Sequence, residues 1–480
     1  VYQEIRVLSK EIWQRLKAHT EFSFSTAVYR WVKFEPLRAV TIGNLFEETV
    51  NKFGDTEALV SIAQNRRLTF HQAKTKVDQL AAGLISLGLK PGDRVGLLEP
   101  NTEEWYISFL AGAKAGVIVV SMTMVQLHYQ IESTNKLNEL AKAIQPDDAC
   151  NIQFTSGTTG LPKAAALTHF SSLNNAYFIG KRFTYDRKRP TICCSVPFFH
   201  TYGTTAVVLT GLYFGATSVL PSPSYNSSLA IEEPSWKDNL DVIVTAGSLL
   251  LPKVYDRIKN VFPSTKIYSI YGMTETSPSS FQSRSTDTED QRKYSVGFVQ
   301  DHVEVKIVDG AGKMVPFGSP GELWCRGYVK MLGYYNQDSK TDEMIGKDCW
   351  IKTGDEAILS EDGYAQIVGR IKDLIIRGGE NISPKEVEDL LQAHPDIYEA
   401  QVFGVADERL GEVVGAALIL RPGKSITVDE IKTFCKGKIS HFKIPKYVQF
   451  LTEFPKTGSG KIKKHILKAA MEKAIQAGDL

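Results

Sequence analysis

The sequence predicts an α/β protein, with a large N-terminal domain of parallel or mixed sheets with helices and a small α+β C-terminal domain. Three observations support this fold class. The chain has 480 residues, which is more than one hydrophobic core usually organises. Its composition is 43% hydrophobic and 23% charged, which is typical of globular proteins. Short apolar runs alternate with helical patterns, as they do in α/β folds.

The first clear unit lies at residues 93–120, where a strand pattern, a polar turn, a helix pattern and a second strand pattern follow one another. This order predicts a βαβ unit of a parallel sheet. The apolar runs Val242–Val244 and Lys266–Ile270 each end near a glycine or a polar turn, and they predict two more strands. After Gly321 the pattern changes to short alternating strands.

The pattern of predicted helices and strands changes beyond Arg370, and we place the domain boundary near this residue. The pattern there predicts helices at Pro384–Gln392 and Thr427–Gly437 and strands at Glu399–Val405 and Val414–Leu420. A lysine-rich amphipathic helix, Lys463–Ala477, is predicted to end the domain on its surface.

The overall charge excludes several classes of partner. Lys and Arg number 56 against 54 Asp and Glu, which gives a net charge of +2. A chain so balanced has no bulk electrostatic reason to bind nucleic acid or an anionic membrane. The six cysteines include no pair at C-x-x-C spacing, which argues against a zinc site or a disulfide framework and favours a reducing compartment.

One uncharged stretch could form either a buried part of the core or a membrane-spanning helix. No Asp, Glu, Lys or Arg occurs from Pro190 to Ile231, but its longest apolar part, Thr204–Leu220, is interrupted by Gly211 and Gly215. These glycines favour a buried helix and strand over a membrane-spanning helix. The sequence therefore predicts a soluble protein without a transmembrane segment.

The strongest local signal for chemistry is a segment rich in hydroxyls and glycines, which follows the strand-like Asn151–Phe154. Glycines allow the backbone to approach a ligand closely, and hydroxyls and N–H groups can then surround phosphate oxygens beside a lysine. The spacing is not that of a Walker A loop, and the alternative is an ordinary Gly/Thr turn. The segment consists of Thr155, Ser156, Gly157, Thr158, Thr159, Gly160, Leu161, Pro162 and Lys163.

A second signal, Tyr271-Gly272-Met273-Thr274-Glu275-Thr276, follows the predicted strand Lys266–Ile270. Ligands bind at the carboxyl ends of parallel strands in α/β proteins. An aromatic face there could stack on a base, and a carboxylate could hold Mg²⁺ beside phosphates. Taken alone, a Tyr-Gly turn is common and indicates little.

Three weaker segments complete the set. Asp355, in Thr353–Asp355, could accept hydrogen bonds from ribose hydroxyls, and Gly369-Arg370 follows it. Lys456–Lys461 has the composition of a mobile loop that delivers one cation. Each of them alone is more often a turn or a solvated surface. Motifs of zinc proteases, serine hydrolases and dinucleotide-binding proteins do not occur.

In order and spacing, these five segments resemble the adenylate-forming superfamily of acyl-CoA synthetases, aryl-CoA ligases, luciferases and peptide-synthetase adenylation domains. The resemblance covers roughly residues 40–470, and it is closest to medium-chain fatty acid CoA ligases. It implies a two-step reaction with ATP, Mg²⁺ and CoA, through an acyl-adenylate. It further implies small-molecule partners (fatty acid, ATP and CoA), no nucleic acid, and a mitochondrial matrix location, the alternative being the cytoplasm. Acyl chain length and oligomeric state stay open.

The resemblance also implies a role for each matching residue. Thr155–Lys163 would hold the β- and γ-phosphates, Thr274 would contact the α-phosphate and Glu275 would bind Mg²⁺. Asp355 and Arg370 would hold the ribose, and His200 would lie near the acyl carboxylate. The adenine would lie against Ala246, Gly247, Ser248, Tyr271 and Gly272.

The resemblance divides the chain into an N-terminal extension (1–40), a large domain (41–369), a hinge (370–372) and a small domain (373–480). Lys461 would bridge the substrate carboxylate and the α-phosphate during adenylation. Rotation of the small domain about Lys372 would then withdraw this lysine and bring a CoA-binding segment over the site. That segment is Arg377, Gly378, Gly379 and Glu380.

The sequence departs from the pattern of the superfamily in three respects. Ala164 replaces a glycine after the lysine of the phosphate loop, and Ser248-Leu249 replaces Ala-Pro on the adenine wall. The chain is also shorter than its relatives between Val120 and Asn151 and between Ser228 and Thr245. This shortness raises two alternatives, a catalytically impaired nucleotide- or acyl-binding relative and an aryl-acid or luciferase-like ligase.

Overall fold

The computed structural model describes residues 26–31, 35–122, 137–155, 163–223, 240–247, 250, 252–456 and 462–480. The strands, in chain order, are β1 (Val28–Trp31), β2 (Glu57–Ser61), β3 (Arg66–Thr69), β4 (Arg94–Leu98), β5 (Ile118–Met122), β6 (Ala149–Thr155), β7 (Lys163–Thr168), β8 (Thr191–Cys193), β9 (Thr217–Leu220), β10 (Val242–Ala246), β11 (Lys266–Tyr271), β12 (Phe281–Gln282), β13 (Phe298–Val299), β14 (Val303–Val308), β15 (Pro320–Gly327), β16 (Gly333–Tyr334), β17 (Ile351–Leu359), β18 (Ala365–Arg370), β19 (Ile375–Arg377), β20 (Glu380–Ile382), β21 (Ile397–Asp407), β22 (Gly411–Leu420) and β23 (Tyr447–Phe450).

The helices pack on these strands and connect them. In chain order they are α1 (Ile42–Phe53), α2 (Phe70–Ser86), α3 (Glu103–Ala115), α4 (Leu137–Ala143), α5 (His169–Arg182), α6 (Thr210–Phe214), α7 (Pro252–Val261), α8 (Glu289–Tyr294), α9 (Asp338–Met344), α10 (Pro384–Gln392), α11 (Val428–Cys435) and α12 (Lys464–Ala477). Hydroxyl side chains begin several of them. Thr69 and Thr427, for example, each form a reciprocal capping box, which satisfies backbone N–H groups that a helix start leaves unpaired.

The βαβ unit predicted at residues 93–120 is confirmed. Strands β4 and β5 are parallel and α3 joins them, and the sheet runs in the order β16-β7-β6-β5-β4. β6 and β7 form an antiparallel pair that brings Thr155 opposite Lys163. This sheet therefore places both ends of the predicted phosphate loop on neighbouring strands.

A second sheet, β10-β11-β12-β13, places the Tyr271 segment. β10 and β11 are parallel neighbours, as the sequence predicts, and Ala246 lies opposite Ile270. A third sheet runs β3-β2-β9-β8, and a fourth, β1-β14-β15-β17-β18, is antiparallel throughout. The fourth sheet carries Asp355 and Arg370 on its last two strands.

The C-terminal region has its own sheet, β20-β19-β22-β21, to which β23 adds alongside β22. Val387 and Leu391 of α10 and Ile431 of α11 belong to one apolar core on this sheet. Leu467 and Met471 of α12 belong to another. The region is thus α+β, with helices on a sheet that is antiparallel except for the parallel pair β22–β23, and the predicted fold class is confirmed.

The apolar part of the uncharged stretch, Thr204–Leu220, is core, as the sequence predicts. Residues Tyr202–Leu209 form a π-helix that continues into α6, and β9 follows; Leu209, Leu212 and Leu220 are fully buried in the main core. Among the described residues, each helix is too short or too polar to span a bilayer. All six cysteines are free.

Two strands, β4 and β10, stand at the ends of their sheets. Within the described part of the chain, β4 pairs only with β5, and β10 pairs only with β11. All five side chains of β10 are half-buried, whereas β11 has four buried residues in succession. An end strand has neighbours on one side only, and this explains the partial exposure of an apolar strand.

Candidate active site

The turn after β11 is held rigidly by its own backbone and hydroxyl groups. Ser280 donates its backbone N–H to the Tyr271 carbonyl at 2.9 Å, and the Thr276 hydroxyl accepts from the Met273 N–H at 3.0 Å. A Cβ atom on Gly272 would lie 1.9 Å from the Pro278 carbonyl oxygen. Only glycine therefore fits at this position of the turn.

Three predicted nucleotide contacts meet at one carboxylate. The Tyr271 hydroxyl donates to Asp355 Oδ2 at 2.6 Å, and Arg370 Nε lies 2.6 Å from Asp355 Oδ1. Asp355 and Arg370 face each other across β17 and β18, so the sheet register brings them together. Burial, and after it the nearby Asp355, raises the pKa of Tyr271 well above its ordinary value, which keeps this hydroxyl a donor.

Glu275 has a partner that the sequence does not indicate. Tyr334 donates its hydroxyl to Glu275 Oε1 at 2.6 Å, and the two residues are only 3% and 5% exposed. Met331 donates its backbone N–H to the Glu275 carbonyl at 3.1 Å. The strand β16 thus fixes both the backbone and the carboxylate of Glu275.

The described ends of the phosphate loop adjoin this carboxylate. The Thr155 hydroxyl donates to the Lys163 carbonyl at 3.4 Å. The Lys163 ammonium lies over the Tyr334 ring, 4.8 Å from its centroid. Lys163 and Glu275, which are far apart in sequence, therefore contact opposite parts of one tyrosine.

Lys372 adds a third positive charge to this region. The pKa of Lys372 is lowered from its ordinary value by partial burial of its ammonium group, and next by the neighbouring charge of Arg370. Lys163 lowers it further, whereas Asp373 and Asp355 act in the opposite sense. Like charges lower a lysine pKa, so Arg370 and Lys163 act on Lys372 in the same sense as its burial.

The predicted adenine wall lies beside Tyr271. Because Ala246 pairs with Ile270, Gly247 follows β10 where Tyr271 ends β11. Gly247 has φ +78°, a backbone conformation that glycine adopts without strain.

His200 lies at the start of the π-helix, where its Nδ1 accepts from the Tyr202 N–H at 3.2 Å. Gln153 of β6 connects this segment to the phosphate loop. Gln153 accepts from the Thr201 hydroxyl at 2.5 Å and donates to the Thr204 hydroxyl at 3.0 Å. In the sequence, a glutamine on an otherwise apolar strand just before the loop is the feature that could have identified Gln153.

Arg377, Gly378, Gly379 and Glu380 form a tight hairpin of the C-terminal sheet. Arg377 pairs with Glu380, and the two glycines have φ of +61° and +88°, as a two-residue hairpin turn requires. Gly378 donates its N–H to the Leu410 carbonyl at 2.7 Å. The segment is therefore a defined turn, with both glycines exposed.

Part of the predicted site lies outside the described residues, namely Ser156–Pro162, Ser248 and Lys461. In the part that the structure describes, no three His, Cys, Asp or Glu side chains come together as metal ligands. A single carboxylate nevertheless fits Mg²⁺ that arrives with a nucleotide, because phosphates and water supply most of its ligands. The carboxylate of Glu275 suits that kind of metal.

Comparison with known proteins agrees with this geometry. The AMP-binding enzyme family model matches residues 46–133, 121–233 and 227–335, and the AMP-binding enzyme C-terminal domain model matches residues 386–461. The protein named medium-chain acyl-CoA ligase ACSF2, mitochondrial, of Danio rerio is 35% identical over 556 aligned residues, which cover 94% of this chain and 92% of the relative. The protein of the same name from Homo sapiens is 35% identical, with 92% and 89% covered.

A solved structure has the same fold. It is the anthranilate CoA ligase AuaEII in complex with anthranoyl-AMP, and it is 24% identical with a TM-score of 0.79. The superposition covers 92% of this chain and 99% of that one.

The comparisons also locate the missing residues. The alignment with the Danio rerio relative has 556 positions, more than the 480 residues of this chain, so the relative has residues that this chain lacks. The matched family segments meet at 121–133 and 227–233, where the sequence predicts the two shortfalls. On either side of these gaps the match continues, and both domain models are represented. The chain therefore belongs to the AMP-binding enzyme family.

Proposed function

We propose that the chain is an ATP-dependent acyl-CoA synthetase that activates a medium-chain fatty acid through an acyl-adenylate. The fatty acid carboxylate attacks the α-phosphate of ATP, forming acyl-AMP as pyrophosphate leaves. The CoA thiol, which gives up its proton, then attacks the acyl carbon, forming the thioester as AMP leaves. The observation that carries this proposal is that Tyr334 contacts both Lys163, at the end of the phosphate loop, and the Glu275 carboxylate, while Tyr271 and Arg370 hold the Asp355 carboxylate.

Each group in this cluster has a use in such a reaction. Arg370 and Tyr271 hold the Asp355 carboxylate, which we assign to the ribose hydroxyls. The cations would neutralise phosphate charge as pyrophosphate leaves, and such preorganised electrostatics usually contribute most to catalysis. Thr274 is assigned to the α-phosphate, and Ala246, Gly247, Ser248 and Gly272 line the place for adenine beside Tyr271.

Glu275 would hold Mg²⁺ on the nucleotide. The ion, when bound, neutralises charge on the phosphates and makes the pyrophosphate a better leaving group. The chain's own contribution is to keep this carboxylate buried and fixed, since Met331 holds the backbone of Glu275 and Tyr334 holds its side chain.

Adenylation and transfer to CoA need different groups at the active site, and a chain of two domains joined by a hinge can supply them in turn. We propose a large domain at 41–369, a hinge at 370–372 and a small domain at 373–480, with residues 1–40 as an extension. Lys461 acts in adenylation, and the Arg377–Glu380 hairpin replaces it at the site for transfer to CoA. Domain closure of this kind assembles two sites in turn. His200 is assigned to the acyl end of the substrate.

Release of pyrophosphate tests the proposed reaction. With ATP, Mg²⁺ and a series of saturated fatty acids from short to long, we expect release to be greatest for medium chains. Thioester should form only when CoA is added. Greater release with aryl acids would point to an aryl-acid ligase. ATP binding without pyrophosphate release for any acid would contradict the proposal and indicate an impaired relative.

Substitution of Lys461 tests the role of the small domain. Because the lysine would bridge substrate and α-phosphate only during adenylation, Lys461→Ala should lower the adenylation rate by about a hundredfold or more. Thioester formation from synthetic acyl-AMP should be nearly unchanged. Lys473→Ala, an exposed lysine of α12, is the matched control. Normal adenylation by Lys461→Ala would exclude this role.

We also propose a mitochondrial location, because both relatives described above are named as mitochondrial. Fractionation of cells that express the natural full-length protein, followed by immunodetection, tests it. Recovery in the cytosolic fraction alone would contradict it.

A further inference from the structure

Tyr334 occupies a central position that neither the motifs nor the proposed reaction uses. It lies on the two-residue strand β16, which pairs with β7 so that Tyr334 faces Ala165. Its hydroxyl reaches Glu275, 59 positions away in sequence, at 2.6 Å. Lys163, two residues before Ala165, places its ammonium 4.8 Å from the centre of the ring.

The two contacts use different parts of the same side chain. The hydroxyl donates a hydrogen bond to a carboxylate, and a bond of this kind is stronger than one between neutral groups. The ring offers its negative face to an ammonium ion. Tyr334 thus joins the end of the phosphate loop to the carboxylate assigned to the metal, without itself carrying charge.

The backbone around Tyr334 makes its position rigid. Its N–H donates to the Thr341 hydroxyl at 2.8 Å, and the next residue, Tyr335, donates its N–H to the Ala164 carbonyl at 2.8 Å. The hydroxyl of a tyrosine can donate one hydrogen bond, and here it donates to Glu275.

A carboxylate that coordinates a metal needs an outer partner that sets its orientation, and such partners affect metal affinity strongly. The bond from Tyr334 engages one of the two oxygens of Glu275 and fixes the plane of the group. The following inference rests on the proposed function. We propose that Tyr334 is a positioning residue, which orients Glu275 toward the metal of magnesium–ATP and Lys163 toward the phosphates.

The test separates the hydroxyl from the ring, and it measures binding without turnover. Tyr334→Phe removes the hydroxyl and keeps the ring, whereas Tyr334→Leu removes both. Tyr335→Phe is the matched control, because Tyr335 is adjacent but 40% exposed. ATP affinity is measured by calorimetry without fatty acid, once with excess Mg²⁺ and once with a chelator.

For Tyr334→Phe we expect about tenfold weaker binding of ATP with Mg²⁺ and a change of less than about twofold with the chelator, since the ring still faces Lys163. Tyr334→Leu should weaken binding under both conditions. Tyr335→Phe should change neither.

Two results would overturn the inference. One is unchanged binding of magnesium–ATP by Tyr334→Phe. The other is an equal loss with and without Mg²⁺, which would mean that the hydroxyl only stabilises the fold. Intact Mg²⁺-dependent ATP binding with no fatty-acid-dependent pyrophosphate release would contradict the proposed reaction alone. If the unsubstituted chain shows no Mg²⁺-dependent ATP binding, both proposals fail.

Discussion

Gly272 shows how one residue determines the shape of the nucleotide site. The turn after β11 brings the Pro278 carbonyl oxygen to within 1.9 Å of the place where a Cβ of residue 272 would lie. A backbone carbonyl cannot move away as a flexible side chain can. The absence of a side chain at this position therefore holds Tyr271 and Glu275, on either side of it, in register with Asp355 and Tyr334.

Gly272→Ala should lower the free energy of unfolding by about 2–3 kcal/mol, because the added methyl group overpacks the turn. ATP affinity should fall in the same variant, because Tyr271 and Glu275 would shift together. Urea unfolding and calorimetry measure the two effects.

Gly310→Ala is the matched control, since a Cβ at Gly310 meets nothing within 4 Å. If Gly272→Ala were as stable as this control, the close approach to Pro278 would not constrain the turn.

At this scale the sequence predicts a large share of the site. Tyr271, Asp355 and Arg370 follow from motifs, and the structure brings them into contact. Tyr334 does not follow, because it acts through pairing between strands that are distant in sequence. Gln153 is marked only as a polar residue on an apolar strand, and its partners Thr201 and Thr204 are distant in sequence. A local motif carries no information about such pairings.

At the scale of elements, helices α1 and α5 begin side by side and share one histidine. His169 Nδ1 accepts from the Ile42 N–H at 3.1 Å, which satisfies a backbone donor at the start of α1. Burial lowers the pKa of His169 to about 4, from 6.5, although Asp148 opposes the shift. The neutral ring that this contact requires is therefore favoured in the folded protein.

Because of His169, the free energy of unfolding is expected to fall as the pH becomes acidic. The unfolded chain binds a proton at His169 near pH 6.5, whereas the folded chain resists it down to about pH 4. Stability from this residue is thus present above pH 6.5 and lost as the pH falls toward 4. Between pH 7 and pH 5 the loss amounts to about 2 kcal/mol.

His169→Asn, whose amide oxygen can also accept from Ile42, should be about 2 kcal/mol less sensitive to this change of pH. Urea unfolding at pH 7 and pH 5 measures it, and His465→Asn, on an exposed position of α12, is the control. An unchanged pH dependence in His169→Asn would show that other groups cause it.

Elements with strong local patterns were predictable, and elements defined by distant partners were not. The helix Pro384–Gln392 has the predicted bounds, with its apolar face on the C-terminal sheet. The short strands β1 and β16 have no pattern of their own. They are strands because β14 and β7 supply their hydrogen bonds.

At the scale of the whole molecule, several segments of the proposed site lie away from the two places where the chain is shorter than its relatives. The segments of the family match overlap at 121–133 and 227–233, and β4 and β10 end their sheets in the described part of the chain. The paired strands β6 and β7, which carry the loop ends, lie inside their sheet. The turn after β11 and the β17–β18 pair lie outside both overlaps.

The net charge of the chain is only +2, so the sequence predicts that bulk charge does not hold a nucleotide. In the proposed site, binding of phosphates would rest on local groups, among them Lys163 of β7, and not on bulk charge. The domain boundary near Arg370 remains a prediction.

The proposed nucleotide site also bears on how long the folded protein lasts. A nucleotide that binds the folded chain and not the unfolded one adds about 2.7 kcal/mol to the free energy of unfolding when its concentration is a hundred times its Kd. The supply of ATP would then set the lifetime of the enzyme as well as its rate, with a starved compartment losing the protein along with its activity.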